Sequence, residues 1–313
     1  MPDAPVLFAA IGECMLESRT RAAGGHRRGF GGDTLNTAVY VARYGSQAGI
    51  AVDYVTALGD DPYSERMLEA WRAEGIGVGL VARLPGRLPG LYAIDTDAAG
   101  EPRFDYWRQA SAARDMLRAA SAPAVLERLA GYDYLYLSGI TLSILDHAGR
   151  RLLGDLLDNL RARGGKVVFD GNYRPAGWPD AAAAATAIED VLRRVDIALP
   201  SFEDERAVFG DADPAATVAR LAGLGVAEVA CKNGAEDCLL FADGTTRSIP
   251  PPVRLTPVDA TAAGDAFNAG YLVARIAGAG PDTAARNGHV LAGAVIQHRG
   301  AIIPRQAMPP LFD

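Results

Sequence analysis

The run K-V-V-F-D-G-N-Y-R-P, residues 166–175, joins a short apolar strand, Lys166–Asp170, to a polar loop opening on Gly171 and Asn172. The same grammar repeats on both sides of it. Upstream, Tyr132–Ser138 reads as a strand and Ala148–Arg163 as a helix. Downstream come a helix over Ala181–Arg194, a strand over Asp196–Pro200, a helix over Thr217–Leu224 and a strand over Glu228–Lys232. Short unbroken apolar runs suit strands covered on both faces. Strand–helix alternation predicts the α/β class, with a mostly parallel central sheet carrying helices on both faces. Ligands in such folds sit outside the carboxyl ends of the strands. Polar residues fall there: Asn172 and Arg174, Ser201 and Asp204, Asn233 and Gly234.

Towards the N-terminus, Val6–Ile11 reads as a first buried strand. Residues 17–31 are basic and glycine-rich, a loop or a small exposed sheet. After Gly31-Gly32-Asp33 an amphipathic helix runs from Thr37 to Tyr44 and is expected to stop at Gly45. Ile50–Leu58 is a strand, and a helix with Met67, Leu68 and Trp71 on one face follows. Residues 87–110 break the alternation: Leu91–Thr96 and Arg103–Arg108 predict a hairpin about a turn at Asp97–Gly100. A second hairpin, Cys238–Phe241 with Thr246–Ile249, turns at Asp243-Gly244. Helices from about Gly264 to Ala277 and about Thr283 to His298 close the chain.

Composition narrows the function. The chain has 313 residues, 49% hydrophobic and 22% charged, as in a soluble globular protein. A net charge of −7 argues against nucleic-acid and membrane-surface partners, which favour basic patches. No apolar run approaches a membrane span of ~20 residues. No signal-like start is present, so a cytoplasmic location is expected. Cys14, Cys231 and Cys238 lack metal spacing and are expected as buried, reduced thiols.

The chemistry concentrates in V-D-A-T-A-A-G-D-A-F-N-A-G, residues 258–270. Ala262, Ala263 and Gly264 let a ligand approach the backbone, and a helix starting there presents unpaired N–H groups to an anion. Asp265 falls on that first turn, where a carboxylate takes a proton from an attacking hydroxyl or simply complements the helix dipole. Gly29-Phe-Gly31-Gly-Asp-Thr34 lacks the third glycine of a dinucleotide fingerprint, and Gly165-Lys166 is not a Walker loop. If the chain is a kinase, 258–270 is the one candidate left for its phosphate cradle. Asp33 and Asn36 read either as sugar-hydroxyl contacts or as a cap and a surface residue. Tyr92, Tyr106, Arg108 and Arg174 read as a carboxylate-binding set or as a solvated hairpin and loop. Of four histidines, His289 is the one positioned for a nucleotide base.

Taken together, F-G-G-D-T-L-N-T-A (30–38) and V-D-A-T-A-A-G-D-A-F-N-A-G-Y-L (258–272) resemble the two signatures of the ribokinase-like (PfkB) carbohydrate kinases. The likeness covers nearly the whole chain. G-E-C-M-L-E (12–17), L-P-G-L-Y-A-I-D-T-D (88–97), F-D-Y-W-R (104–108), Y-L-Y-L-S-G-I (134–140), D-G-N-Y-R-P (170–175) and R-G-A-I-I-P-R (299–305) resemble the members that act on 2-keto-3-deoxy sugar acids. The resemblance implies a ribokinase-like three-layer sandwich forming one domain over 1–313. It also implies a discontinuous β-sheet lid from about 14–30 and 87–110, through which such chains pair as homo-oligomers.

The implied reaction is Mg²⁺- and ATP-dependent phosphorylation of the 6-hydroxyl of 2-keto-3-deoxy-D-gluconate. Its alternatives are a fructokinase-like neutral-sugar kinase and a non-catalytic sugar-acid sensor. By resemblance, Asp265 is the base and Ala262, Ala263 and Gly264 the anion hole. Gly32, Asp33, Asn36, Tyr92, Tyr106, Arg108, Asn172 and Arg174 hold the sugar acid. Ser201, Lys232, Asn233, Gly234, Ala235, Asp237 and His289 hold the nucleotide. The chain departs from the family at Ser201-Phe-Glu-Asp204, where many relatives have Asn-x-x-Glu, so Asp204 is the metal-organising candidate, acting through water.

Overall fold

The computed structural model describes residues 4–20, 25–96 and 102–311. Its strands in chain order are β1 (Val6–Ile11), β2 (Met15–Thr20), β3 (His26–Gly31), β4 (Ile50–Leu58), β5 (Ile76–Gly77), β6 (Val81–Arg83) and β7 (Leu91–Thr96). There follow β8 (Pro102–Trp107), β9 (Tyr134–Ser138), β10 (Lys166–Asp170), β11 (Ile197–Ala198), β12 (Glu228–Cys231), β13 (Cys238–Ala242) and β14 (Thr245–Ile249). The large sheet runs β14-β13-β12-β11-β10-β9-β1-β4-β5, with β6 also on β4. Its pairs are parallel from β5 to β12, and the hairpin β13–β14 adds an antiparallel edge.

Alternation along the central strands feeds two cores. Phe8, Ala10, Tyr136 and Val168 face one, and Ala9, Ile11, Leu135, Leu137, Val167 and Phe169 the other. Helices Asp33–Ala48, Pro62–Ala73, Ala263–Ile276 and Pro281–Val295 cover the first face. Helices Ala122–Leu129, His147–Ala162, Ala181–Leu192 and Pro214–Gly223 cover the second. This is the ribokinase-like three-layer α/β arrangement expected from the sequence. β1 takes β4 on one side and β9 on the other, so the strand order reverses between β1 and β9. A crevice opens where strand order reverses.

The second sheet, β3-β2-β7-β8, pairs the glycine-rich segment with the 87–110 hairpin. Of the two readings of 17–31, the described residues form the small sheet rather than a loop. The expected turn at 97–100 lies outside the described residues.

The helix expected to stop at Gly45 continues to Ala48 and ends at Gly49, whose φ of 65° is left-handed. Gly45 is glycine for a different reason: a Cβ there would come within 2.8 Å of the Ile50 carbonyl oxygen. Two short helices lack the apolar period that would announce them: Gly139–Ile144, which starts directly at the end of β9, and Phe202–Phe209, which follows β11 after Leu199, Pro200 and Ser201.

Candidate active site

Two helices begin at the crevice, and their first turns face each other. Helix Asp33–Ala48 starts after Gly32, and helix Ala263–Ile276 after Ala262. A cavity of about 510 Å³ lies between them, lined from the small sheet by Met15, Tyr92 and Tyr106. Gly31, Gly32, Asp33, Asn36, Ile140, Asp170, Asn172, Arg174, Ser201, Asp204, Lys232 and residues 260–265 complete its wall. Gly32 has no room for a side chain, since a Cβ would meet the Glu13 carbonyl oxygen at 2.2 Å.

Asp265 is buried on its helix's first turn, and Asn36 Nδ2 donates to its Oδ2 at 2.8 Å. Burial and the charge of Asp33 push the Asp265 carboxyl up to about 7, opposed by the Asn36 hydrogen bond and the Lys232 ammonium. Asp33 accepts from Asn172 Nδ2 at 2.6 Å. The capping alternative for Asp33 and Asn36 is thereby set aside. Gly32 is the N-cap, with no side-chain cap bond, and Asn36 is buried against the opposite helix. Asn172 itself has a φ of 30°, strained backbone of the kind held at functional sites. Ala262 is left-handed at φ 61°, and Ala263 N–H bonds the Ala260 carbonyl at 3.2 Å, so the turn before the helix is tightly wound.

Lys232 is buried beside this helix start. Its Nζ donates to Asp170 Oδ2 at 3.0 Å and to Asn268 Oδ1 at 2.9 Å. Asn268 Nδ2 returns to Asp170 Oδ2 at 2.6 Å and reaches the Tyr136 hydroxyl at 3.1 Å. Thr37 Oγ lies 3.3 Å from both that hydroxyl and the Asp265 carbonyl oxygen. Sequence reasoning missed Asp170, Asn268 and Tyr136. The available signal was chemical: a carboxylate ending a buried strand and an amide inside the apolar run 267–276 both require polar partners.

A smaller cavity of about 150 Å³ continues past Gly264 between Ser201, Lys232, Asn233, Gly234, Phe267 and His289. The His289 Nε2 sits 3.0 Å from the Ile249 carbonyl, its ring is edge-on to Phe267, and burial lowers its pKa. Two expected members of this side are not brought in. Ala235 lines neither cavity. Asp237 accepts hydrogen bonds from Ser248 and Arg254 in a surface groove that shares Asn233 with the smaller cavity.

Arg108 stands one step from the first cavity. It lies in a neighbouring cavity of about 490 Å³ that shares Met15, Tyr106, Ile140 and Arg174 with the first, and its guanidinium pairs with buried Glu13. Arg174 lines both spaces and sits 3.6 Å from Asp204. The Asp204 carboxyl is pushed up to about 6 by burial and the charge of Asp170. Among the described residues no cluster of three or more His, Cys, Asp or Glu is placed to hold a metal. No described helix is long and apolar enough to cross a membrane, and the three cysteines are buried and free.

A crevice at a strand-order reversal, with a helix N-terminus, a buried carboxylate and a buried lysine converging on it, is the equipment of an α/β phosphotransferase. The chain matches the pfkB family carbohydrate kinases over residues 9–308 and belongs to that family. The 2-dehydro-3-deoxygluconokinase of Escherichia coli (strain K12) is 47% identical over 305 residues, covering 96% of this chain and 98% of that protein. In structure the chain is similar to a PfkB protein from Polaromonas sp. JS666, with a TM-score of 0.82 at 25% identity over 93% of this chain and 96% of that one. It shares its fold with the ATP-bound fructokinase of Xylella fastidiosa, at a TM-score of 0.81, 20% identity and coverage of 97% and 95%.

Proposed function

We propose that the chain transfers the γ-phosphoryl group of ATP to the 6-hydroxyl of 2-keto-3-deoxy-D-gluconate, with Asp265 as general base. The observation that carries this reading is the position of Asp265. It stands between the sugar-side residues Asp33 and Asn36 and the cradle formed by Gly264 and Lys232. The 47% identity to a 2-dehydro-3-deoxygluconokinase supports the substrate assignment.

Asp33, Asn36 and Asn172 hold the sugar hydroxyls, with Gly32 allowing close approach. Tyr92 and Tyr106 close over the sugar from the small sheet and exclude water that would otherwise hydrolyse the nucleotide. The acid end lies towards Arg174 and Arg108, in the two adjoining cavities that share Met15, Tyr106, Ile140 and Arg174. Binding energy gathered there orients the distant hydroxyl. Asp265, raised into the neutral range, takes the hydroxyl proton as the oxygen attacks.

The nucleotide occupies the smaller cavity, flanked by Ser201, Asn233, Gly234 and His289. A Cβ on Gly264 would sit 3.5 Å from Lys232 Nζ, so phosphate oxygens and the ammonium fit one cradle. Lys232 and the first-turn N–H groups of residues 263–265 steady the transferred charge. The carboxylates of Asp204 and Asp170 line the adjoining larger cavity, a donor set that fits hydrated Mg²⁺ shared with phosphates. When bound, that ion would neutralise phosphate charge.

An ADP-release assay over a panel of keto-acids and neutral sugars tests the reading. ADP formation that depends on the keto-acid supports it. Faster turnover of fructose than of the keto-acid would overturn the substrate, and no sugar-dependent ADP would overturn the kinase.

A further inference from the structure

Glu13 follows β1, in the seam between the large sheet and the small one. Its side chain is 0% exposed, and its described ion-pair partner is Arg108, 95 residues away just after β8. A single hydrogen bond, from Arg108 Nη2 to Glu13 Oε2, joins them. The atoms beside that bond are unmet: Glu13 Oε1 and Arg108 Nε are both buried without a partner. A buried ion pair with two idle polar atoms is a poor device for stability, since desolvation opposes most of the Coulomb gain. The same two groups have a better arrangement. Turning the guanidinium edge brings Nε to Oε1 while Nη2 stays on Oε2, which makes the bidentate fork that arginine and carboxylate favour. In that fork both N–H groups of Nη1 and the second N–H of Nη2 are left for the neighbouring cavity, which Arg108 lines together with Arg174.

We infer that Glu13 is a positioning residue for sugar-acid recognition. It grips one edge of Arg108 so that the other edge meets the substrate carboxylate, and it acts through Arg108 rather than on the substrate. The inference rests on the sugar-acid reading of this site. Glu13 also belongs to the wall behind the sugar, since its carbonyl oxygen is the atom that excludes a side chain at Gly32. Gly90 leaves room for the Glu13 carboxylate, since a Cβ there would come within 2.7 Å of Oε1.

Steady-state kinetics on Glu13→Gln, Arg108→Gln and the double variant test this. Glutamine offers one acceptor oxygen in place of two, so the fork cannot form. The KM for the keto-acid should rise about tenfold in Glu13→Gln, with kcat and the KM for ATP within about twofold. The double variant should be no worse than Arg108→Gln, because the two act as a unit. An unchanged keto-acid KM in Glu13→Gln, or additive losses in the double variant, would overturn the inference. If Glu13→Gln does not fold, Glu13→Asp, which keeps the charge but draws it back by one methylene, should show the same KM rise. A normal KM there would overturn it too. Wild-type protein inactive on keto-acids would overturn the functional reading itself, whereas an active wild type with silent Glu13 variants would remove Glu13 alone.

Discussion

Asn36 Nδ2 donates to Asp265 Oδ2 at 2.8 Å, a hydrogen bond that joins the first turns of two helices 229 residues apart. It aims the carboxylate from the sugar side of the cavity. A base held this way is expected to matter for proton transfer and little for binding. Asp265→Asn should keep keto-acid affinity, measured by calorimetry, while turnover falls by ~10² or more. Turnover near wild type would remove Asp265 from the base role.

The raised Asp265 carboxyl fixes the sign of two pH effects. A general base works ionised, so kcat/KM should climb with pH through a midpoint near the value of about 7. Asn36→Leu removes a bond to the charged form and should move that midpoint up. Stability runs the other way. Between the ordinary aspartate range and about 7, the folded chain binds more protons at this site than the unfolded chain. The contribution of Asp265 to stability therefore falls as pH rises through that window. Thermal melts should show Asp265→Asn gaining on wild type at pH 8 relative to pH 4.

Lys232 and Asp170 form a buried pair at 3.0 Å, with Asn268 bonded to both. Removing the ammonium leaves a buried carboxylate uncompensated, so Lys232→Met should destabilise the protein by about 3–5 kcal/mol in denaturant unfolding. It should also raise the KM for ATP, since Nζ lies beside the Gly264 cradle. Lys232→Met combined with Asp170→Asn should recover most of the stability and none of the nucleotide affinity.

Residues 166–175 gave the layered α/β fold because short buried strands and their loops are written locally. Asp265 was legible as a first-turn acid for the same reason. What escaped was set across the chain. The Lys232–Asp170–Asn268 cluster joins residues up to 98 apart, and no local period announces it. The resemblance puts Asn233, Gly234 and Asp237 together on the nucleotide, whereas in the fold Asn233 and Gly234 line the smaller cavity and Asp237 bonds Ser248 outside it. Arg108 was legible as an anion binder by type, whereas its partner Glu13 is invisible in sequence because the sheets that juxtapose them meet only in three dimensions. Gly45 misled as a stop signal, since a close carbonyl and a left-handed turn both select glycine.

Two glycines in the cavity wall separate packing from binding. A Cβ on Gly32 would meet the Glu13 carbonyl oxygen at 2.2 Å and the Cys14 Cα at 3.1 Å, and both are backbone atoms that cannot swing aside. A Cβ on Gly264 would find Lys232 Nζ at 3.5 Å, an ordinary contact with the tip of a flexible side chain. Gly32→Ala should therefore lower the melting temperature by several degrees, in line with the ~1–3 kcal/mol of an overpacked site, and raise the keto-acid KM. Gly264→Ala should melt like wild type and raise the KM for ATP, because its methyl group enters the space assigned to phosphate. Melting curves and ATP titrations on the two variants check the contrast. A Gly264→Ala protein with unaltered ATP binding would place the phosphates elsewhere in the cavity.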